Sequence, residues 1–257
     1  MSRAVEMALS RDDARGTLRL FHPKGNIITA QMLGELMEAL ASLARRPHLK
    51  LLVIEGAGCD FSFGASVPEH EPERIDRVLP AAHWLIRALL DFPAPTAAVV
   101  RGRCLGGGFE LALACDFIFA AASARFGLPE IALGVFPPAA CALLPARVGS
   151  ARATHAILTG EATPASAWFA AGLLEFVAPD AELDAAVDGW FEQHIAPKSA
   201  AALRHAARAA RLSLRQHVES HLPELERLYL TDLMRTRDAS EGITAFMEKR
   251  LPNWTDQ

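Results

Sequence analysis

Glu110 and Glu130 are two acids that each stand beside a segment able to hold a reacting group. The first lies in Gly102-Arg103-Cys104-Leu105-Gly106-Gly107-Gly108-Phe109-Glu110-Leu111. Consecutive glycines between a strand and an apolar helical pattern leave backbone N–H groups unencumbered at a helix start, where an anion can approach closely. The chemistry this favours is stabilisation of an oxyanion. The glycines alone would also serve close helix–strand packing. Two nucleotide motifs do not fit: the spacing gives no G-x-G-x-x-G, and Gly108-Phe109 stands where a P-loop built on Gly102 and Gly107 needs Lys-Ser/Thr. Glu130 lies in Phe126-Gly127-Leu128-Pro129-Glu130-Ile131. Alone, an acid in a first helical turn compensates the dipole, and an acid after proline belongs to a turn. Together the two form a candidate acid/base pair, able to move protons between water and carbon. Asp60-Phe61-Ser62-Phe63-Gly64-Ala65-Ser66 adds a Gly-Ala turn that can present another N–H, or serve as an ordinary loop.

The elements that must position these groups can be read from periodicity. Leu18–Phe21 is expected as a strand, followed by a turn at Pro23-Lys24-Gly25 and a helix that Thr29 caps. Met32, Leu33, Leu36, Met37, Leu40 and Leu43 recur on one face of that helix. Leu51–Glu55, Thr96–Arg101, Asp116–Ala121 and Leu173–Val177 are expected as further strands, and Val78–Asp91 as a helix. The first two-thirds therefore reads as α/β and the rest, beyond Ala151, as mainly helical.

The 257 residues are long enough to bury a large core, and 51% hydrophobic against 22% charged residues exclude disorder along the whole chain. A net charge of −4 does not favour nucleic acid or an anionic membrane. The Ala-rich stretch from Lys198 to Arg215, with Arg204, Arg208 and Arg211, is a basic helix that could meet RNA or phosphate, or be a solvated face or a subunit contact. Cys59, Cys104, Cys115 and Cys141 have no CxxC spacing and are expected as reduced thiols, Cys104 as a buried one. His70 with Glu69, Glu71 and Glu73 falls in a proline-containing loop without a credible ligand set, so no metal is expected. No signal segment or membrane span is visible, and the expectation is a cytoplasmic protein.

The ordered segments Phe61–Ala65, Gly102–Ala112 and Phe126–Gly134 resemble the enoyl-CoA hydratase/isomerase (crotonase) family. Leu158-Thr159-Gly160, Ala171-Gly172-Leu173 and Phe246-Met247-Glu248-Lys249-Arg250 extend the likeness over nearly the whole chain. The resemblance implies a crotonase-like α/β spiral of repeated ββα units, with a catalytic core over 1–195 and a helical region over 196–257 that serves trimerisation and completes the CoA site. It implies a homotrimer or dimer of trimers, an acyl-CoA substrate, no nucleic-acid or membrane partner, and no cofactor beyond the coenzyme A of the substrate. Carried onto this chain, the Ala65 and Gly107 amides would bind the thioester oxygen, with Glu110 and Glu130 as the acid/base pair. Gly64, Ser66, Gly106 and Phe136 would lie against the acyl-CoA, and Lys249 would reach a CoA phosphate.

Both glutamates together favour hydration over double-bond migration. Two departures stand out: Ser66 replaces the acid usual after Gly-Ala, and Val135-Phe136-Pro137-Pro138-Ala139-Ala140-Cys141 replaces a glycine-rich stretch and should reshape the acyl pocket. These features, with Glu69-His70, Ala196–Ala200 and Leu228-Tyr229-Leu230, resemble the cyclohexa-1,5-diene-1-carbonyl-CoA hydratase branch. That implies 1,4-addition of water to a cyclic dienoyl-CoA, giving 6-hydroxycyclohex-1-ene-1-carbonyl-CoA. A general enoyl-CoA hydratase, another crotonase enzyme, and a non-catalytic CoA- or RNA-binding protein are the alternatives.

Overall fold

A computed structural model describes residues 3–257, apart from the side chains of Pro72 and Glu73. A six-stranded sheet forms the centre, in the order β1 (Val5–Ser10), β2 (Arg15–Leu20), β3 (Leu51–Gly56), β4 (Thr96–Val100), β6 (Phe117–Ala121), β9 (Phe176–Ala178). Within this sheet only β1 and β2 pair antiparallel. Parallel strands carry helical crossovers on their faces, and β4 is accordingly buried at every position. A second sheet of three short strands, β5 (Arg103–Leu105), β7 (Arg125–Gly127) and β8 (Thr163–Pro164), lies beside the functional segments.

Helix α1 (Ala30–Ala44) begins as its sequence predicts: the Met32 N–H donates to Thr29 Oγ1, and Met32, Leu33, Leu36, Leu40 and Leu43 are buried. Helix α2 (Pro72–Leu90) starts six residues before the periodic segment at Val78, with a proline in its first turn where no intrahelical donor is lost. The short α3 (Gly107–Leu113) follows β5 directly. Helices α6 (Ala165–Ala170) and α7 (Leu183–Trp190) pack against the later strands, α4 (Pro138–Val148) lies against α3 and α5 (Ser150–Thr159), and α8 (Ala200–Ala210), α9 (Leu212–Arg227) and α10 (Arg237–Glu248) complete the chain. No helix among the described residues is long and apolar enough to cross a membrane.

The basic Lys198–Arg215 stretch is split between α8 and α9, and three of its cations are engaged within the chain. Arg204 donates to the Arg46 carbonyl, and Arg215 pairs with Asp91 and Glu219. Arg211 is 4% exposed and clamps Asp116 while donating to the Phe92 and Ala94 carbonyls. Val218 and Leu222 of α9 join the same hydrophobic core as the sheet. Removing the acid from a buried pair strands the remaining charge, so Asp116→Ala is expected to destabilise the fold by about 3–5 kcal/mol. Urea unfolding of the two proteins checks this, and a loss below about 1 kcal/mol, as for an exposed pair, contradicts it.

Candidate active site

The two amide-bearing segments are laced together by backbone hydrogen bonds. Ser62 donates to the Arg103 carbonyl and accepts from Leu105, while its hydroxyl donates to the Asn26 carbonyl and accepts from the Gly64 N–H. Gly108 is required where α3 meets this loop, because a Cβ there would lie 2.6 Å from that of Ser62. Gly64 and Ser66 alternate in bonding to Ile28, which turns the Ala65 N–H away from it. Ala65 N lies 3.4 Å from where a Gly107 Cβ would stand, and neither the Ala65 nor the Gly107 N–H finds an acceptor among the described residues. These are two free donors side by side.

Glu110, in the first turn of α3, reaches the start of α4. Its Oε1 accepts from the Ala140 N–H at 2.8 Å, and Ala139 contributes a second amide. Pro137 and Pro138 set this up, since the first-turn N–H groups beyond them have no partner within the helix. The segment that departs from the family's glycine-rich pattern is thus the one that holds the first acid. Glu130 sits in a turn of 3-10 helix, Pro129–Leu133, closed by Gly134 in the left-handed region. Its Oε1 lies 2.4 Å from where a Cβ on Gly106 would stand, and its Oε2 is buried with no hydrogen-bond partner.

Burial pushes Glu110 up to about 7 against the pull of the two amides, and burial with the neighbouring Glu110 charge pushes Glu130 up to about 8. Near neutral pH the pair therefore holds a proton it can give and a site that can take one. Both carboxyls titrate above their ordinary value of 4.5, so the folded chain binds more protons than the unfolded chain between roughly pH 5 and 8. The stability this confers is complete below the ordinary carboxylate range and is lost as pH rises through about 7 and about 8. The urea midpoint should fall from pH 6 to pH 9 in the unaltered protein and stay nearly level in the Glu110→Gln/Glu130→Gln double variant. Parallel pH curves for the two would contradict it.

Two cavities meet at these groups. The inner one is bordered by Ala65, Gly107, Glu110, Glu130, Phe136 and Tyr229, and the outer by Gly64, Gly106, Phe246, Arg250 and Pro252. Ala65, His70 and Glu130 border both. Phe136 packs edge-on against Tyr229, with ring centroids 5.4 Å apart. Ser66 borders neither cavity; its carbonyl accepts from His70 Nδ1 at 2.9 Å. Lys249 is an exposed residue at the left-handed end of α10 and also borders neither, whereas Arg250, next in sequence, borders the outer cavity and pairs with Glu241 and Glu248.

Sequence reasoning gave no role to Tyr229, His70 or His83, all of which border the inner cavity. Tyr229 is 1% exposed with an unpartnered hydroxyl, and burial and the charges of Glu130 and Glu110 push that hydroxyl upward. Cys104 is buried and its thiol is pushed well above its ordinary value, which suits an inert core residue. Among the described residues no group of three or more His, Cys, Asp or Glu is placed to hold a metal ion.

The enoyl-CoA hydratase/isomerase family profile matches residues 16–257. The chain is 43% identical over 256 residues to the cyclohexa-1,5-dienecarbonyl-CoA hydratase of Thauera aromatica, covering 100% of this chain and 98% of that one. It is 34% identical over 253 residues to the 2,3-dehydroadipyl-CoA hydratase of Escherichia coli, covering 97% and 98%. Among solved structures, an enoyl-CoA hydratase from Mycobacterium avium subsp. paratuberculosis superposes with a TM-score of 0.88 at 31% identity, over 98% of this chain and 99% of that one.

Proposed function

We propose that this chain, which belongs to the enoyl-CoA hydratase/isomerase family, adds water to an α,β-unsaturated acyl-CoA thioester, and that its substrate is cyclohexa-1,5-diene-1-carbonyl-CoA. The observation that carries the reading is the pair of buried carboxyls with raised affinity for protons, beside two amides without acceptors. The named substrate rests on the 43% identity to the Thauera aromatica hydratase.

The thioester oxygen accepts from the Ala65 and Gly107 amides. Addition of water moves negative charge onto that oxygen, and each preorganised donor aimed at it is worth about 3 kcal/mol. Glu110, steadied as an anion by the α4 amides, takes the proton from water; Glu130 delivers a proton to carbon. On a conjugated ring diene the water oxygen bonds to carbon 2, the electrons pass through the dienolate, and the proton arrives at carbon 5. The remaining double bond then lies between carbons 1 and 6, which is 6-hydroxycyclohex-1-ene-1-carbonyl-CoA once the ring is renumbered. Coenzyme A enters with the substrate and the chemistry calls for no other cofactor.

Gly64 and Gly106 line the path of the thioester arm, and Phe136 packs against the acyl group. Arg250 is better placed than Lys249 to meet the CoA within one chain; Lys249 would serve a neighbouring subunit. Residues 1–195 act as the catalytic core and 196–257 as the region that supports a homotrimer or a dimer of trimers, in the cytoplasm. Purified protein incubated with crotonyl-CoA and with the cyclic dienoyl-CoA, with loss of the alkene followed, tests the reading. Faster turnover of the diene supports it. Folded protein that turns over neither rejects hydration, and migration of the double bond without uptake of water assigns an isomerase instead.

A further inference from the structure

The inner cavity has a polar wall that the proposed reaction does not use. His83, on α2, is 2% exposed and borders the cavity among apolar neighbours of its own helix, Val78, Leu79, Ala82, Leu85 and Ile86. Its Nδ1 lies 2.6 Å from Glu226 Oε2 on α9. A carboxylate only accepts, so Nδ1 carries the proton and Nε2 keeps its lone pair. Burial, the largest influence, holds the imidazole below its ordinary value, in keeping with a neutral ring. Nε2 is buried and has no hydrogen-bond partner. A buried acceptor without a donor is unfavourable, so occupants of the cavity are sorted by whether they leave an O–H donor against that nitrogen.

We propose that His83, held in this tautomer by Glu226, determines acyl-group specificity: Nε2 keeps a water or hydroxyl donor behind a compact cyclic acyl group and disfavours a linear alkyl chain. The methylenes of a linear chain running along the apolar α2 wall would cover Nε2 and offer it nothing. A ring stops nearer the amides and leaves the donor in place. Glu226 acts through His83 and is a positioning residue. The inference deepens the hydratase reading and rests on it for the acyl-CoA ligand, but its test reads binding and needs no turnover.

The test is calorimetric titration with cyclohexanecarbonyl-CoA and octanoyl-CoA of the full chain and its His83→Leu and His83→Gln variants. The unaltered protein should bind the cyclic ester more tightly. His83→Leu should shift the ratio of the two dissociation constants toward octanoyl-CoA by about 10-fold, or about 1.4 kcal/mol. His83→Gln, which keeps a polar group, should stay within about threefold of the original ratio. A ratio unmoved by leucine overturns the proposal, and so does a shift of the same size with glutamine, because volume rather than polarity would then be responsible. If the leucine variant does not fold, His83→Met carries the same comparison. Turnover of the diene with an unmoved ratio removes this proposal alone, whereas a shifted ratio without turnover removes hydration alone.

Discussion

Glu130→Gln is expected to lower kcat for hydration by about 10²-fold or more, with KM changed far less, because a positioned acid or base contributes about 10²–10⁴-fold. Glutamine keeps the size and a hydrogen-bonding oxygen but has no proton to deliver to carbon. The substitution also removes a carboxyl whose proton affinity burial and Glu110 have raised to about 8. The variant should therefore be more stable than the original at pH 9, where that group would be forced to ionise in the interior. A less active and more stable protein is the paired signature of a strained functional acid. A variant that keeps nearly all activity would show that one carboxyl suffices, as isomerisation would require. Steady-state kinetics and urea unfolding at pH 9 give both readouts.

Gly106→Ala should cost about 10²-fold in kcat through the same carboxyl, without touching it chemically. Gly106 has φ 49° and ψ −127°, a conformation L side chains rarely adopt, and its missing Cβ is the space that Glu130 Oε1 occupies. An alanine must displace that oxygen or move the backbone that carries the Gly107 amide. Backbone strain adds a stability loss of about 1–3 kcal/mol. Gly58→Ala separates the two effects: Gly58 also has positive φ, at 78°, yet nothing lies within 4 Å of its would-be Cβ. That variant should lose about 1 kcal/mol of stability and keep its kcat. Similar kinetic losses in both would attribute the Gly106 effect to general destabilisation.

The elements carrying Glu110, Glu130 and the two amides were legible because each lies in a short segment with its own turn chemistry. Glycine, proline and an acid within a few residues of one another constrain the backbone locally, so sequence spacing translates into position. The central parallel strands were legible for a similar reason: full burial turns residues 51–54 and 97–100 into unbroken apolar runs. Strand β1 was not: Val5, Met7 and Leu9 do alternate with Glu6, Ala8 and Ser10, but Val5–Ser10 is an edge strand exposed at most positions, so little burial stands behind the pattern. Strands β5, β7 and β8 are two or three residues long, too short for any period to register.

The rest of the cavity is assembled by tertiary packing, which a single sequence does not report. His83 lies in the middle of an ordinary amphipathic helix, and its partner Glu226 stands at the far end of the chain on α9. Tyr229 follows in a turn of π-helix, Leu228–Asp232, that no propensity marks. Arg211 read as one more cation of a basic stretch, and only the packing of α9 against α4 and α2 turns it inward onto Asp116. Lys249 and Arg250 show the limit from the other side: adjacent in sequence, they part because the chain enters the left-handed region at Lys249.

The most direct measurement is hydration of cyclohexa-1,5-diene-1-carbonyl-CoA in D2O, with the deuterium located in the product by NMR. Addition steered by the two amides through a dienolate predicts one deuterium at carbon 3 of 6-hydroxycyclohex-1-ene-1-carbonyl-CoA, across the ring from the new hydroxyl. Deuterium at carbon 5, beside the hydroxyl, would mean simple addition across one double bond, and recovery of unlabelled diene would mean no hydration; either contradicts the account.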